Sequence, residues 1–341
     1  MTVSVVIAVY NGAWCIERAI ESLLSQTVRP DEIFVCDDGS TDGTADLVAD
    51  KFGSAVRVLR LPHRNSPSAR RAGLDLATGD WLAFMDADDV WTSRKLEVQL
   101  AYLRRHPDVK HISSDGSLVS ASGVVRTSWL SDYFQPVREM RGDLLPTLAE
   151  RCYILMSSVM VDRSVYHACG GIDRDIVYSH DYELWLKILA NHPGAVLADP
   201  LIHYFTSPHA LSRNYEGRDR DDLELMRRME CGEFRCDAVL QRRAGERAAA
   251  LEYRLGVRAI KNGRIDEGRR RLRNASLDGP VGRRLVALAG SFVPAWAVGG
   301  LRRATWLKPT VVAPSSATLL DGSAHAHDGR FAASPVNGDQ P

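Results

Sequence analysis

Short apolar runs alternate with amphipathic stretches along the first hundred residues. Val3–Val9 is a continuous β-branched run of the buried-strand kind, closed by the turn pair Asn11-Gly12. Residues 14–25 then set Ile16, Ala19, Ile20, Leu23 and Leu24 at helical spacing. The same alternation predicts strands at 32–36, 56–59 and 81–85, and helices near 42–52, 67–77 and 94–105. Strand–helix alternation of this kind implies an α/β fold with a mostly parallel sheet covered by helices on both faces. Ligands in such folds bind outside the carboxyl ends of the strands.

Beyond about residue 110 the pattern changes. Residues 110–115 and 124–127 read as strands flanking polar, Gly-containing turns, and 131–156 as mixed and loop-like. A second block over 157–206 holds "SSVMV", the Gly170-Gly171 turn and a helix from about Asp181 to Ala190. From Asp219 onward the chain is helical and Arg-rich, and 251–275 reads as a helical hairpin around Asn262-Gly263. Residues 311–341, rich in Ser, Ala, Gly, Asp and Pro, are expected to be disordered.

Composition narrows the function classes. The 341 residues carry 43 basic and 43 acidic side chains, a balance that speaks against a general nucleic-acid binder. The six cysteines are scattered without a CxxC pair, as expected of reduced thiols in a cytoplasmic protein. "MTVSVVIAVYNG" lacks a basic leader and reads as a strand, not a signal peptide. Residues 285–301, bracketed by arginine pairs, sit at the short limit for a spanning helix. They are read either as an interfacial segment on the cytoplasmic membrane face or as a packed helix.

The chemistry concentrates at two predicted strand ends. "WLAFMDADDVW" runs a buried strand into Asp86, Asp88 and Asp89. Alternation along a strand turns Asp86 and Asp88 to one side, where they repel unless a cation or a proton lies between them. Oxygen-only ligation suits Mg²⁺ or Mn²⁺ holding substrate phosphates. A loop that merely caps the helix from Arg94 is the rival explanation. "VCDDGSTDGT" repeats the theme: Asp37 or Asp38 can accept hydrogen bonds from a ribose or a base, while Asp42 and Thr44 suit turn and cap roles.

"SVVIAVYNGAWCIERAIESLLSQTVRPDEIFVCDDGSTDGT" followed by "SARRAGLDLATGDWLAFMDADDVW" resembles the family 2 glycosyltransferases of GT-A fold, over roughly residues 2–215. The resemblance implies a Rossmann-like nucleotide-sugar-binding half (1–115), an acceptor-binding half (116–218) and a helical C-terminal extension (219–310). It also implies an inverting, metal-dependent transfer from a nucleoside-diphosphate sugar, UDP being the commonest, to a glycan or lipid-linked acceptor in surface-polysaccharide or glycolipid assembly. By position, Tyr10 and Asp38 would bind the nucleoside, with Asp37 beside them and Ala8 where the family commonly has Pro. Arg70 would approach the diphosphate; its alternative is a solvated surface arginine. Asp86, Ala87 and Asp88 correspond to the DxD stretch, with Asp86 and Asp88 holding Mn²⁺ or Mg²⁺ and Asp89 supporting the loop.

An inverting transfer needs one general base for the acceptor hydroxyl. "GGIDRDIVYSHDYELWLKI" resembles the family's glycine turn and acidic pair, here His180-Asp181, which implies Asp181 as base and His180 as its companion. The alternative is that Ser179 or Asp181 caps the helix. Relatives often carry an Arg and a His after the Tyr of "HYFTSPHALSRN"; Phe205 and Ser207 stand there, flanked by His203 and His209. Two rivals from other classes are a sugar nucleotidyltransferase, which would show a Gly-rich basic phosphate loop after the first strand, and an inactive sugar-nucleotide-binding or scaffold protein.

Overall fold

A computed structural model describes residues 1–120, 123–206 and 213–277. The chain opens with β1 (Val3–Val9), α1 (Ile16–Leu24), β2 (Glu32–Asp37), α2 (Thr44–Phe52), β3 (Arg57–Arg60), α3 (Ser66–Leu76) and β4 (Trp81–Asp86). All pairings among these four strands are parallel, in the order β3-β2-β1-β4. Residues 5, 7 and 9 of β1 face one core layer with Ile16, Ile20 and Leu23 of α1, and Val6 faces the other. A strand buried on both faces needs the continuous apolar run that β1 has. Gly73 of α3 lets that helix lie flat on β1 and β2, since a Cβ there would meet Cys36 Sγ at 2.4 Å and Val6 at 2.8 Å.

The second half is mixed. It comprises β5 (Val90–Trp91), α4 (Lys95–Arg105), β6 (His111–Ser120), β7 (Gly123–Arg126), β8 (Met140–Gly142), α5 (Leu145–Glu150), β9 (Met160–Asp162), α6 (Arg163–Ala168), α7 (His180–Leu189) and β10 (Gly194–Phe205). Antiparallel β9 bridges β4 to β6, β6 runs parallel to β10, and β10 pairs antiparallel with β5 and β8, so one sheet continues across both halves. Three expectations change here. The segment expected to turn after residue 115 continues as β6, because its buried polar residues find partners: Asp115 accepts from Gly116 N and Leu130 N. Residues 131–156, expected to be loop, contain β8 and α5, too short for periodicity to reveal. The helix expected from Asp219 begins at Tyr215, capped by the Asn214 side chain.

The C-terminal helices are α8 (Tyr215–Glu230), α9 (Ala238–Lys261) and α10 (Ile265–Leu277). Leu225, Met226 and Met229 of α8 and Leu240, Ala244, Ala248 and Leu251 of α9 join the core layer that contains Trp185 of α7. Arg247 of α9 donates to Ala149 O and Tyr182 Oη at 2.6 Å each and to Asp222 Oδ2 at 3.1 Å. The helical hairpin expected over 251–275 is α9 turning into α10 at Asn262-Gly263. No helix among the described residues is long and apolar enough to cross a membrane, and residues 285–301 lie outside them.

Candidate active site

The carboxyl ends of β1, β2 and β4 adjoin one another, because Ala8 is paired with Cys36 on one side and Asp86 on the other. Asp38, buried just past β2, accepts from Arg64 N at 2.9 Å and lies 3.0 Å from His63 Nδ1. The half-exposed ring of Tyr10 stacks on His63, with centroids 4.2 Å apart and planes 23° from parallel. Gly39 makes this corner possible. Its φ of +76° suits only glycine well, and a Cβ there would sit 2.8 Å from His63 N. Asp37 is turned to a structural task, its Oδ1 accepting from Ser40 N at 3.1 Å. Asp42 and Thr44 tie the loop to the one after β1: Asp42 Oδ2 accepts from Ala13 N at 3.0 Å, and Thr44 Oγ1 from Gly12 N at 3.0 Å.

The acidic stretch is a turn, not a strand. β4 ends at Asp86, Ala87 and Asp88 occupy a turn, and Asp89 N donates back to Asp86 O at 3.2 Å. Alternation therefore does not bring Asp86 and Asp88 together; the turn does, closely enough that the charge of Asp86 acts on Asp88. Burial first, then that charge, pushes the Asp88 carboxyl up to about 6. Asp89 is fully buried, its Oδ2 held by Ser157 Oγ and its Oδ1 accepting from Phe205 N at 3.0 Å. Burial and the charges of Asp86 and Asp88 raise its carboxyl well above the usual range. Ser157 also accepts from Asp86 N at 3.0 Å, so one hydroxyl clasps both ends of the turn.

Arg70 is not a solvated surface residue. Its side chain is 2% exposed, donating to Met85 O at 2.9 Å and to Asp86 Oδ1 at 2.6 Å. The first layer of α3 thus delivers a fixed cation behind the acidic turn. A buried arginine–carboxylate contact of this kind loses its counter-charge if either partner is removed.

α7 packs into the core layer it shares with α3. His180 is buried, and its Nδ1 bonds Val177 O at 3.0 Å. A carbonyl only accepts, so the neutral ring carries its proton on Nδ1 and leaves Nε2 a buried acceptor without a partner among the described residues. Burial, reinforced by the charge of Arg70, pushes His180 down to about 4, with Asp86 pulling the other way. Asp181 next to it is pushed up to about 6 by burial, against the Tyr182 N–H and the charge of Arg218. The Ser179 hydroxyl makes no cap and donates instead to Asp222 Oδ1 at 2.8 Å, while Asp181 Oδ1 accepts from Tyr182 N at 2.7 Å in the first turn of α7. Asp221 accepts from Tyr178 N at 2.6 Å and Ser179 N at 3.1 Å, so α8 holds the start of α7.

Asp86 bonds Arg70, and its charge acts on Asp88, His180 and Asp181. Tyr10 and Asp38 lie at the neighbouring strand ends. His203 pairs with Val90 within β10, while His209 and Ser207 lie outside the described residues. At Phe205, where the resemblance expects an arginine, the ring instead lies beneath the guanidinium of Arg18, 3.9 Å from its centroid. Sequence patterns missed His63, Arg18, Ser157 and Arg218. Only the four-residue polar spacing of Arg18, Ser22 and Gln26 could have pointed to any of them.

The residues present fit a divalent cation. Asp86 keeps one oxygen beyond its bond to Arg70, Asp88 is crowded by that charge, and both oxygens of Asp89 are engaged. Among the described residues no three His, Cys, Asp or Glu side chains are grouped to enclose a metal. Two carboxylates, with water and phosphate oxygens completing the shell, match how Mg²⁺ and Mn²⁺ are held beside nucleotides.

Residues 4–153 match the model of the glycosyl transferase family 2. The chain is 31% identical over 189 residues to the Escherichia coli UDP-Glc:alpha-D-GlcNAc-diphosphoundecaprenol beta-1,3-glucosyltransferase WfaP, covering 55% of this chain and 70% of that protein. It is 31% identical over 193 residues to an uncharacterized glycosyltransferase of Rickettsia felis, covering 56% of this chain and 32% of that relative's length. Among solved structures, it resembles S. aureus TarS 1-349 in complex with UDP, with a TM-score of 0.63, 16% identity and 89% of each chain covered. That likeness shows the GT-A fold.

Proposed function

The chain belongs to glycosyl transferase family 2, and from that premise we propose that it transfers a sugar, with inversion, from a nucleoside-diphosphate sugar to an acceptor hydroxyl. What carries the proposal is that Asp86 of the acidic turn lies within electrostatic reach of Asp181 at the start of α7. On one side the acidic turn, Asp86 and Asp88, is backed by the buried Arg70. On the other, Asp181 has its carboxyl raised to about 6 and stays ionised at neutral pH. Tyr10 and Asp38 supply an aromatic face and a buried acceptor for the nucleoside. Asp37 would support that corner through Ser40, while Ala8 and Ala87 contribute backbone beside the donor.

Asp88 with Asp86 would hold Mn²⁺ or Mg²⁺, which when bound neutralises charge gathering on the departing diphosphate. Arg70 fixes the orientation of Asp86 so that this face is set before the donor arrives. Asp181 takes the proton of the acceptor hydroxyl as the new bond forms on the side away from the leaving group. His180, neutral at pH 7, adds no positive charge that would hold down the basicity of Asp181. UDP is the proposed nucleotide, supported by the donors named for the E. coli relatives. The acceptor class proposed is a glycan or lipid-linked saccharide in cell-surface polysaccharide or glycolipid assembly.

Calorimetry with UDP, GDP, dTDP and CDP, each with Mn²⁺ and with EDTA, tests the donor half. One nucleotide bound in EDTA and more tightly with Mn²⁺ is expected; a folded protein that binds none of them would remove the donor-site assignment and leave a scaffold role.

A further inference from the structure

Two polar side chains on one face of α1 and a third just past its end, spaced four residues apart, all reach the segment that contains the acidic turn. Gln26 Nε2 donates to Thr92 O at 2.7 Å, Ser22 Oγ accepts from Trp91 N at 3.2 Å, and Arg18 Nη2 donates to Asp88 O at 2.9 Å. The lower two, Ser22 and Gln26, are buried and already fasten the helix to the strand beyond the turn. Arg18 is exposed and differs in kind. It lies flat on the Phe205 ring, 3.9 Å from the centroid, and Phe205 is in turn held by its N–H on Asp89.

A solvated arginine at this place would have no reason to be pinned from two directions. Stacking on an aromatic ring and a single bond to a carbonyl fix the plane of the guanidinium while using one of its five N–H donors. The free edge of such a fork suits two oxygens of a phosphate. It stands beside Asp88, whereas Arg70 is bonded through Nη1 to Met85 O and through Nη2 to Asp86 Oδ1. We propose that Arg18 is a phosphate ligand of the donor site, contacting the diphosphate of the bound nucleotide directly. This rests on the donor-site assignment made above and adds to it a contact contributed by α1.

The test compares wild type, Arg18→Gln and Arg18→Lys by calorimetry. The ligands are whichever of UDP, GDP, dTDP and CDP wild type binds best, and the matching nucleoside by competition, with Mn²⁺ and with EDTA. Arg18→Gln is expected to weaken the diphosphate about 10-fold to 100-fold, the span of a hydrogen bond to a charged group. The nucleoside should change less than about twofold, the same loss should persist in EDTA, and Arg18→Lys should recover part of it. Unchanged diphosphate binding in Arg18→Gln overturns the proposal while leaving the donor site standing. So does a loss seen only with Mn²⁺, which would mean that Arg18 merely shapes the Asp88 turn, or an equal loss for the nucleoside, which would mean general damage. Wild type that binds no nucleotide overturns the donor-site assignment itself, and this proposal with it.

Discussion

Replacing Asp181 by Asn separates a catalytic base from a structural carboxylate, because the two roles predict opposite pairs of results. The amide is nearly isosteric, and its oxygen can still accept from Tyr182 N, the 2.7 Å bond that the carboxylate makes. Loss of a general base costs about 10²–10⁴ in rate, or roughly 3–5 kcal/mol of transition-state stabilisation. Stability should move the other way. Burial raises the Asp181 carboxyl from 3.8 to about 6. The folded state therefore binds more protons than the unfolded one between those values. Stability falls as pH rises through that window, and above pH 6 the whole penalty is present, at most about 3 kcal/mol. Asparagine carries no such penalty, so at pH 7.5 Asp181→Asn should resist urea as well as wild type or better while transferring sugar at least about a hundredfold more slowly. With Mn²⁺ saturating, which keeps Asp88 ionised, wild-type kcat/KM should also fall below pH 6 with unit slope, to about a tenth of its plateau at pH 5, and the variant should lack that limb. Activity within about threefold of wild type, or an acid limb that survives the substitution, would falsify the assignment. A variant that is both slow and unstable would point to a structural carboxylate.

Three further substitutions address the donor side. Asp88→Ala should abolish the Mn²⁺ dependence of nucleoside-diphosphate binding, read by calorimetry; dependence that survives would place the metal elsewhere. Tyr10→Ala should weaken nucleotide and nucleoside alike by about tenfold, within the 1–3 kcal/mol that stacking on an aromatic face is worth, and a loss confined to the diphosphate would disprove a base contact. Ser157→Ala removes the hydroxyl shared by Asp86 N and the buried Asp89, and should cost about 1–3 kcal/mol in urea unfolding together with weaker Mn²⁺–nucleotide binding; wild-type stability would show that the clasp is not needed.

How much of this could be read from the residues depends on whether a partner lies near in sequence. Strands β1, β2 and β4 were legible because a strand buried on both faces must be largely apolar, as β1 is. β8 and α5 were not, since elements of three and six residues contain less than two turns or pleats of pattern. The acidic turn was visible by composition, but its geometry was misread: strand alternation predicts the right proximity of Asp86 and Asp88 for a wrong reason. A surface cation stayed open as the alternative for Arg70 because helix periodicity says which residues share a face, not which face carries a buried partner. The Met85 carbonyl and Asp86 that it meets lie on another strand.

The same limit explains Arg18 and shows how it could be narrowed. Arg18, Ser22 and Gln26 recur every four residues, the spacing of a helix face in contact with something. Their polarity assigns that face to solvent, yet Ser22 and Gln26 are 7% and 4% exposed. Small or amide side chains in register along one face, without the charge alternation of a solvated helix, therefore suggest a polar contact with a non-helical segment whose backbone groups need partners. Here that segment is the strand emerging from the acidic turn, whose N–H of Trp91 and carbonyls of Asp88 and Thr92 are met by this face. A turn that must hold three carboxylates at one end of a sheet cannot be stabilised by apolar packing alone. It needs partners from outside its own strand, supplied by α1, α3 and Ser157.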